Sequence, residues 1–198
     1  MKEKLITQIR QLKSGEISEE HFYHLMSELP YKRTGDIKLD FHRKIRRGLP
    51  EVIYGKSKNV SQLAAIIDTF IESNEDILIT KVDKKKYDQL KDSYENLLFY
   101  EKAEIITFDK KPVQKFPGKI LILSAGASDE PMAEEALVSA EYLGNAVVKE
   151  YDVGVACLSR VLDLRESFNE CNVIIAVAGM EGAMPAVVAG LTSTPIIA

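Results

Sequence analysis

Four short apolar runs in the C-terminal half alternate with helical patterns, and that alternation restricts the fold more than any other feature. Strands are expected at 119–124, 146–151, 172–177 and from Pro195 to Ala198, with helices across about 130–143, 157–169 and 184–191. The run Val173-Ile174-Ile175-Ala176-Val177 contains no polar residue. A strand without polar alternation is buried on both faces, as in a parallel sheet covered by helices. The last run reaches the final residue, and an unfinished strand would leave backbone groups unpaired. Further C-terminal residues are therefore expected.

Each of the first three expected strands exits into a loop that contains small residues. The first loop is Ser124-Ala125-Gly126-Ala127-Ser128-Asp129, and the third is Ala178-Gly179-Met180-Glu181-Gly182-Ala183. Between them lies Tyr151-Asp152-Val153-Gly154-Val155-Ala156-Cys157-Leu158-Ser159-Arg160. Loops at the carboxyl ends of neighbouring parallel strands form a crevice of nucleotide size, and helix N-termini there attract phosphate. Neither the dinucleotide GxGxxG spacing nor a Walker A lysine is present, so close packing explains the first loop as well as ligand binding does. Asp129 can cap the following helix. Arg160 can face a phosphate or lie solvated on a helix, and Asp152 can meet ribose hydroxyls or cap. Glu181 suits proton transfer at the mouth of an apolar crevice, or it is turn polarity only. Cys157, at a helix start, is a candidate thiolate, whereas Cys171 reads as a buried small hydrophobe.

The N-terminal half is organised differently. Two short helices are expected within 3–29: Leu5, Ile6, Ile9 and Leu12 mark the first, and Phe22, Leu25, Met26 and Leu29 the buried stripe of the second. Ser18 caps the second and Pro30 stops it. The segment from Asp36 to Asp40 opens a basic cluster, His42-Arg43-Lys44-Ile45-Arg46-Arg47, read as a solvated, ion-paired helix or as an anion site. Glu51–Tyr54 is a short strand. Leu63, Ile66, Ile67, Phe70 and Ile71 form the stripe of a helix with Asn59 and Gln62 as its capping box. A strand at 76–80, a polar helix at 84–94 capped by Asp83, and strands at 97–100 and 103–108 follow. The proline- and lysine-containing stretch Asp109–Gly118 resembles a tether. The expected division is an N-terminal α/β domain at 1–109, a linker at 110–118, and a nucleotide-binding domain at 119–198.

Composition limits the rest. A chain of 198 residues, 45% hydrophobic, can bury a core without disulfide or metal staples. A net charge of −4 argues against a dedicated nucleic-acid binder. Its two cysteines lack metal-ligand spacing and suit a reducing cytoplasm. No apolar run approaches the roughly 20 residues that span a bilayer. A cytoplasmic protein without membrane or nucleic-acid partners is expected.

The three loops, with Val187-Val188-Ala189-Gly190-Leu191, resemble the LarB family, which makes a biosynthetic intermediate of the nickel-pincer nucleotide cofactor of lactate racemase. Asp40, Arg43, Arg46 and Gly48-Leu49-Pro50-Glu51-Val52-Ile53-Tyr54-Gly55 resemble its N-terminal signature. The C-terminal part is similar to PurE, the aminoimidazole ribonucleotide carboxylase. The resemblance implies a small N-terminal α/β domain followed by a PurE-like (Rossmann-like) three-layer domain with a parallel sheet, incomplete at its C-terminus. It also implies carboxylation of the pyridinium ring of nicotinic acid adenine dinucleotide by carbon dioxide or bicarbonate. Hydrolysis of the phosphoanhydride would then release AMP and leave pyridinium-3,5-biscarboxylic acid mononucleotide.

Carried over residue by residue, the resemblance makes Asp129 and Glu181 the acid–base pair. Ser124, Gly126, Ser128, Asp152, Gly154, Val155, Ala156, Arg160, Gly179, Met180, Gly182 and Ala183 become the substrate cradle. Magnesium is expected for the phosphate chemistry, with no tightly bound organic cofactor, and the subunits are expected to form a homo-oligomer. Two departures stand out. The family's nucleophilic cysteine falls in a segment beyond Ala198. Ser159 stands where the family and PurE usually carry histidine, and Cys157 where LarB proteins usually carry glycine. Two other readings therefore remain: a PurE-type carboxylase, and a nucleotide-binding subunit without catalysis.

Overall fold

A computed structural model describes residues 2–27, 32–34, 37–41, 43–108 and 116–198. Contacts divide the chain into two units, Met1–Ile53 with Lys58–Ile77, and Tyr54–Ser57 with Leu78–Ala198. This division differs from the expected boundary at the 110–118 linker, of which 110–115 lie outside the described residues. The physical reason lies in one apolar cluster. Leu78, Ala103 and Ile105 bury themselves with Val138 and Tyr142, residues from both sides of the tether. A polar tether does not separate apolar faces that exclude water together.

The first unit starts with α1 (Lys2–Ser14) and α2 (Glu19–Ser27). The Ser18 hydroxyl caps α2 by accepting from the His21 N–H at 3.1 Å. The apolar stripes are less buried than expected: Ile6 and Ile9 are exposed, and Phe22, Leu25 and Met26 half-buried. Leu29, Pro30, Asp36 and His42 lie outside the described residues, as do the side chains of Ile45 and Arg46. A hairpin, β1 (Lys32–Thr34) with β2 (Ile37–Leu39), forms where the sequence reading had the approach to the basic cluster. It is followed by α3 (Arg43–Arg47), β3 (Val52–Tyr54) and α4 (Val60–Ser73). The expected capping box of α4 is present. The Asn59 carboxamide accepts the Gln62 N–H at 2.8 Å, and the Gln62 side chain accepts the Asn59 N–H at 3.0 Å. Leu63, Ile66, Ile67 and Phe70 are buried as read, while Ile71 is partly exposed.

The second unit holds two sheets. In the first, β6 (Ile105–Phe108) lies between β4 (Leu78–Thr80) and β5 (Leu97–Tyr100) and is antiparallel to both. Between β4 and β5 lies α5 (Lys84–Leu90), capped by Asp83, whose carboxylate accepts the Lys86 N–H at 2.9 Å. The second sheet is the expected parallel one. It contains β7 (Lys119–Ser124), β8 (Ala146–Glu150), β9 (Val173–Val177) and β10 (Ile196–Ile197) in the order β10-β9-β7-β8. Connecting helices are α6 (Glu130–Tyr142), α7 (Leu158–Leu162), α8 (Arg165–Asn169) and α9 (Ala183–Ala189). Leu121, Leu123, Ile174 and Ala176 pack with Val161, Phe168, Met184 and Val188 in one buried cluster. The helix expected across 157–169 is two short helices, broken at Asp163 and Leu164 without a proline or glycine to announce it. The fold is mixed α/β, as the sequence reading expected.

Candidate functional site

The strand order fixes where the crevice must be. From β7 the chain crosses to β8 on one side, and from β8 it returns to β9 on the other. Helices on either side of that reversal diverge, so a gap opens between the carboxyl ends of β7 and β9. The first loop leaves β7 and the third leaves β9. Both therefore meet at the gap, and β8 delivers the second loop to the same rim.

Backbone and side-chain bonds tie the three loops together. The Ala125 N–H donates to the Val177 carbonyl at 2.9 Å, and the Val153 N–H to the Ser124 carbonyl at 3.0 Å. Ser124 is fully buried, and its hydroxyl accepts the Asp152 N–H at 3.3 Å. A Cβ on Gly154 would stand 2.6 Å from the Ala125 carbonyl oxygen, so glycine is what lets the second loop touch the first.

Asp129 is the central cross-link. One carboxylate oxygen accepts the Gly126 N–H and the other accepts the Gly179 N–H, each at 3.0 Å. Two backbone donors that sequence reasoning reserved for a ligand are thus held by an anion of the chain itself. Space is tight as well, because a Cβ on Gly179 would meet the carboxylate at 3.0 Å. Asp129 joins the first loop to the third across the gap between β7 and β9.

The other expected residues lie around this clamp. Arg160 donates to the Asp152 carboxylate at 2.8 Å and to its carbonyl at 2.9 Å. That pair is solvent-exposed, so it contributes little stability, and a stronger anion can compete for the guanidinium. Asp152 and Met180 both take left-handed backbone, at φ 58° and 50°. Ser128, Ala156, Met180 and Glu181 are exposed, and Val155 and Ala183 half-buried. The turn carrying Glu181 is closed by the Gly182 N–H on the Gly179 carbonyl at 2.9 Å.

Cys157 is exposed, with its sulfur 3.2 Å from the Ser159 hydroxyl. That hydrogen bond, followed by the influence of Arg160, holds the thiol below its usual pKa. Burial pushes the Cys171 thiol up. Sequence reading did not find a further group beside the second loop. Glu134 of α6 bonds Lys149 of β8 at 2.8 Å, and Lys149 lies 5.0 Å from the centre of the Tyr151 ring. Burial opposes the charge on Glu134, but Lys149 and Tyr151 outweigh it and keep the carboxyl below its ordinary range. Only the tertiary fold brings these three together.

In the first unit the signature residues form their own contacts. The Glu51 carboxylate accepts the Asp40 N–H, and burial raises its pKa. Lys44 lies 3.6 Å from Glu75 and 3.4 Å from Asp76, and Arg43 is exposed, as an ion-paired helix requires. Among the described residues no group of three or more His, Cys, Asp or Glu is placed to hold a metal ion. No helix among them is long and apolar enough to cross a membrane.

Comparison with known proteins agrees with this architecture. A family model described as the LarB/PurE-like N-terminal domain matches residues 31–111. An uncharacterized protein of Methanocaldococcus jannaschii is 34% identical over 194 residues, which cover 93% of this chain and 76% of that protein. The chain belongs to the LarB family. That membership relates it to carboxylase-type enzymes in general.

Proposed function

We propose that this LarB-family chain carboxylates the pyridinium ring of nicotinic acid adenine dinucleotide and hydrolyses its phosphoanhydride. AMP and pyridinium-3,5-biscarboxylic acid mononucleotide would be the products, a step toward the nickel-pincer nucleotide. The reading treats the parallel sheet as PurE-like and the assembly as a homo-oligomer. Its main support is the Asp129 bridge, which closes the first loop onto the third at the reversal of strand order, where nucleotides bind in open α/β sheets.

Within this reading the residues divide their work by geometry. Arg160 exchanges the exposed Asp152 carboxylate for a substrate phosphate, a bidentate anion with more charge. Asp129 has both oxygens engaged by backbone N–H groups and orients the two loops. Glu181, exposed on the third loop, is the carboxylate left to take the ring proton once carbon dioxide has added. Ring activation calls for a thiolate that adds to the ring and leaves again once the ring proton is removed; the family's cysteine is expected beyond Ala198, and Cys157, exposed on the second loop, is the alternative. Magnesium, when bound with the substrate, would supply charge neutralisation for the anhydride hydrolysis; among the described residues no group of three or more His, Cys, Asp or Glu is placed to hold it.

The test incubates the protein with nicotinic acid adenine dinucleotide, bicarbonate and magnesium, and follows AMP and the doubly carboxylated mononucleotide by chromatography and mass. Both products are expected in equal amounts. Conversion of aminoimidazole ribonucleotide instead would replace the reading with a PurE-type one, and tight binding without turnover would leave a binding subunit. Loss of activity in Cys157→Ala would assign the thiol, whereas full activity would remove Cys157 from the mechanism.

A further inference from the structure

A second cavity lies apart from the three loops. Its volume is about 360 Å³, and its lining includes Tyr54, Lys56, Lys81, Lys86, Glu104 and Met132. Three ammonium groups around one small cavity repel each other unless something negative joins them. Lys81 already has such a partner in Glu135 at 2.7 Å, and it also donates to the Met132 sulfur at 3.2 Å. Among the described residues Lys86 forms no ion pair: it donates to the carbonyls of Gly55 and Lys56 at 3.1 and 2.9 Å, which leaves one ammonium proton free. Lys56 is exposed, and its ammonium has no partner among the described residues.

The loop that carries Lys56 is built rather than loose. The Gly55 N–H donates to the Thr80 carbonyl at 2.7 Å, and a Cβ on Gly55 would stand 2.5 Å from Val82. The lysine framework is thus preorganised, which lowers the entropy lost when an anion is captured. The remaining lining holds two carboxylates, Asp83 and Glu104, beside Tyr54 and Met132. Asp83 also faces the cavity, but its carboxylate caps α5. Tyr54 and Met132 are large, exposed apolar side chains, a ring and a thioether that suit a flat heterocycle. Glu104 accepts hydrogen bonds only, which suits ribose hydroxyls or an exocyclic amine.

We propose that this cavity is a second ligand site, for a nucleoside monophosphate. Its phosphate sits on Lys56 and Lys86, and its base lies between Tyr54 and Met132. The site is independent of the reaction proposed for the three loops.

Two methionines make the test direct. In the full chain labelled with ¹³C at the methionine methyls, Met132 reports on this cavity and the fully exposed Met180 on the three-loop rim. AMP should shift the Met132 resonance saturably, and inorganic phosphate should do so at least about tenfold more weakly. Lys56→Gln should weaken the AMP effect by about tenfold without changing the melting temperature, because one charge-assisted contact is lost. Lys86→Gln should act in the same direction. Three results would each overturn the proposal: a shift at Met180 alone, equal affinity for AMP and phosphate, or a Met132 response that survives Lys56→Gln. None of these depends on whether the three loops turn over a substrate.

Discussion

Replacing Asp129 with asparagine isolates the clamp at the strand reversal. The carboxylate accepts two N–H groups at 3.0 Å, one from each loop. A hydrogen bond to a charged partner contributes about 1.5–3 kcal/mol. Asparagine keeps one acceptor oxygen but turns an NH₂ toward the other N–H, so one bond goes and the survivor loses its charge. Gly179 is exposed, and water can replace part of its bond. The expected cost is therefore near the lower end, about 1–2 kcal/mol, or a fall in melting temperature of roughly 2–8 °C for a chain of this size. Asp129→Ala loses both bonds and should cost about 2–3 kcal/mol. The specific readout is amide hydrogen exchange. Gly126 and Gly179 should exchange faster in Asp129→Asn, while amides at the centre of β7 keep their protection. Gly179→Ala should give the same signature by pressing a Cβ against the carboxylate, and the double variant should cost less than the sum of the singles. Wild-type exchange at both glycines together with a stability change below about 0.5 kcal/mol would refute the clamp.

Three further outcomes are expected. Gly154→Ala forces a Cβ to 2.6 Å from a backbone oxygen that cannot move aside, and should cost about 1–3 kcal/mol in denaturant unfolding. Cys157 should be alkylated at lower pH than Cys171, since its thiol is held down by Ser159 and Arg160 while burial raises the other. Ser159→Ala should move the alkylation profile of Cys157 upward, and an unchanged profile would discard that hydrogen bond. Glu134 has a folded pKa below its unfolded one, so its stabilisation is present above the ordinary glutamate range and is lost as pH falls through the folded value. Glu134→Gln should accordingly be less stable than wild type at pH 7 and equal to it in strong acid; a constant difference across that range would show that packing, not charge, is at work.

Much of this molecule is local information. The apolar run 173–177 determines a strand, though only Ile174 and Ala176 on one face are fully buried and Val173, Ile175 and Val177 on the other are half-buried, and Asn59 with Gln62 determines where α4 begins, because the groups involved are a few residues apart. The loops of small residues at strand exits are legible for the same reason. What remained hidden depends on partners distant in sequence. Asp129 reads as a helix cap from its neighbours, yet its second oxygen is claimed by Gly179, fifty positions on. The resemblance puts Ser124 in the substrate cradle; its local sequence does not show that it is fully buried and that its hydroxyl accepts the Asp152 N–H. Lys56, Lys81 and Lys86 are unremarkable surface lysines in the sequence, and only the exits of β3 and β4 bring them round one cavity. Most strands and helices and the type of loop are legible in the sequence, since periodicity and capping act over one or two turns, but the β1–β2 pair and the break between α7 and α8 are not. Which loops meet, which carboxylate is engaged and which lysine forms no ion pair among the described residues depend on the tertiary structure, since those follow from strand order and burial.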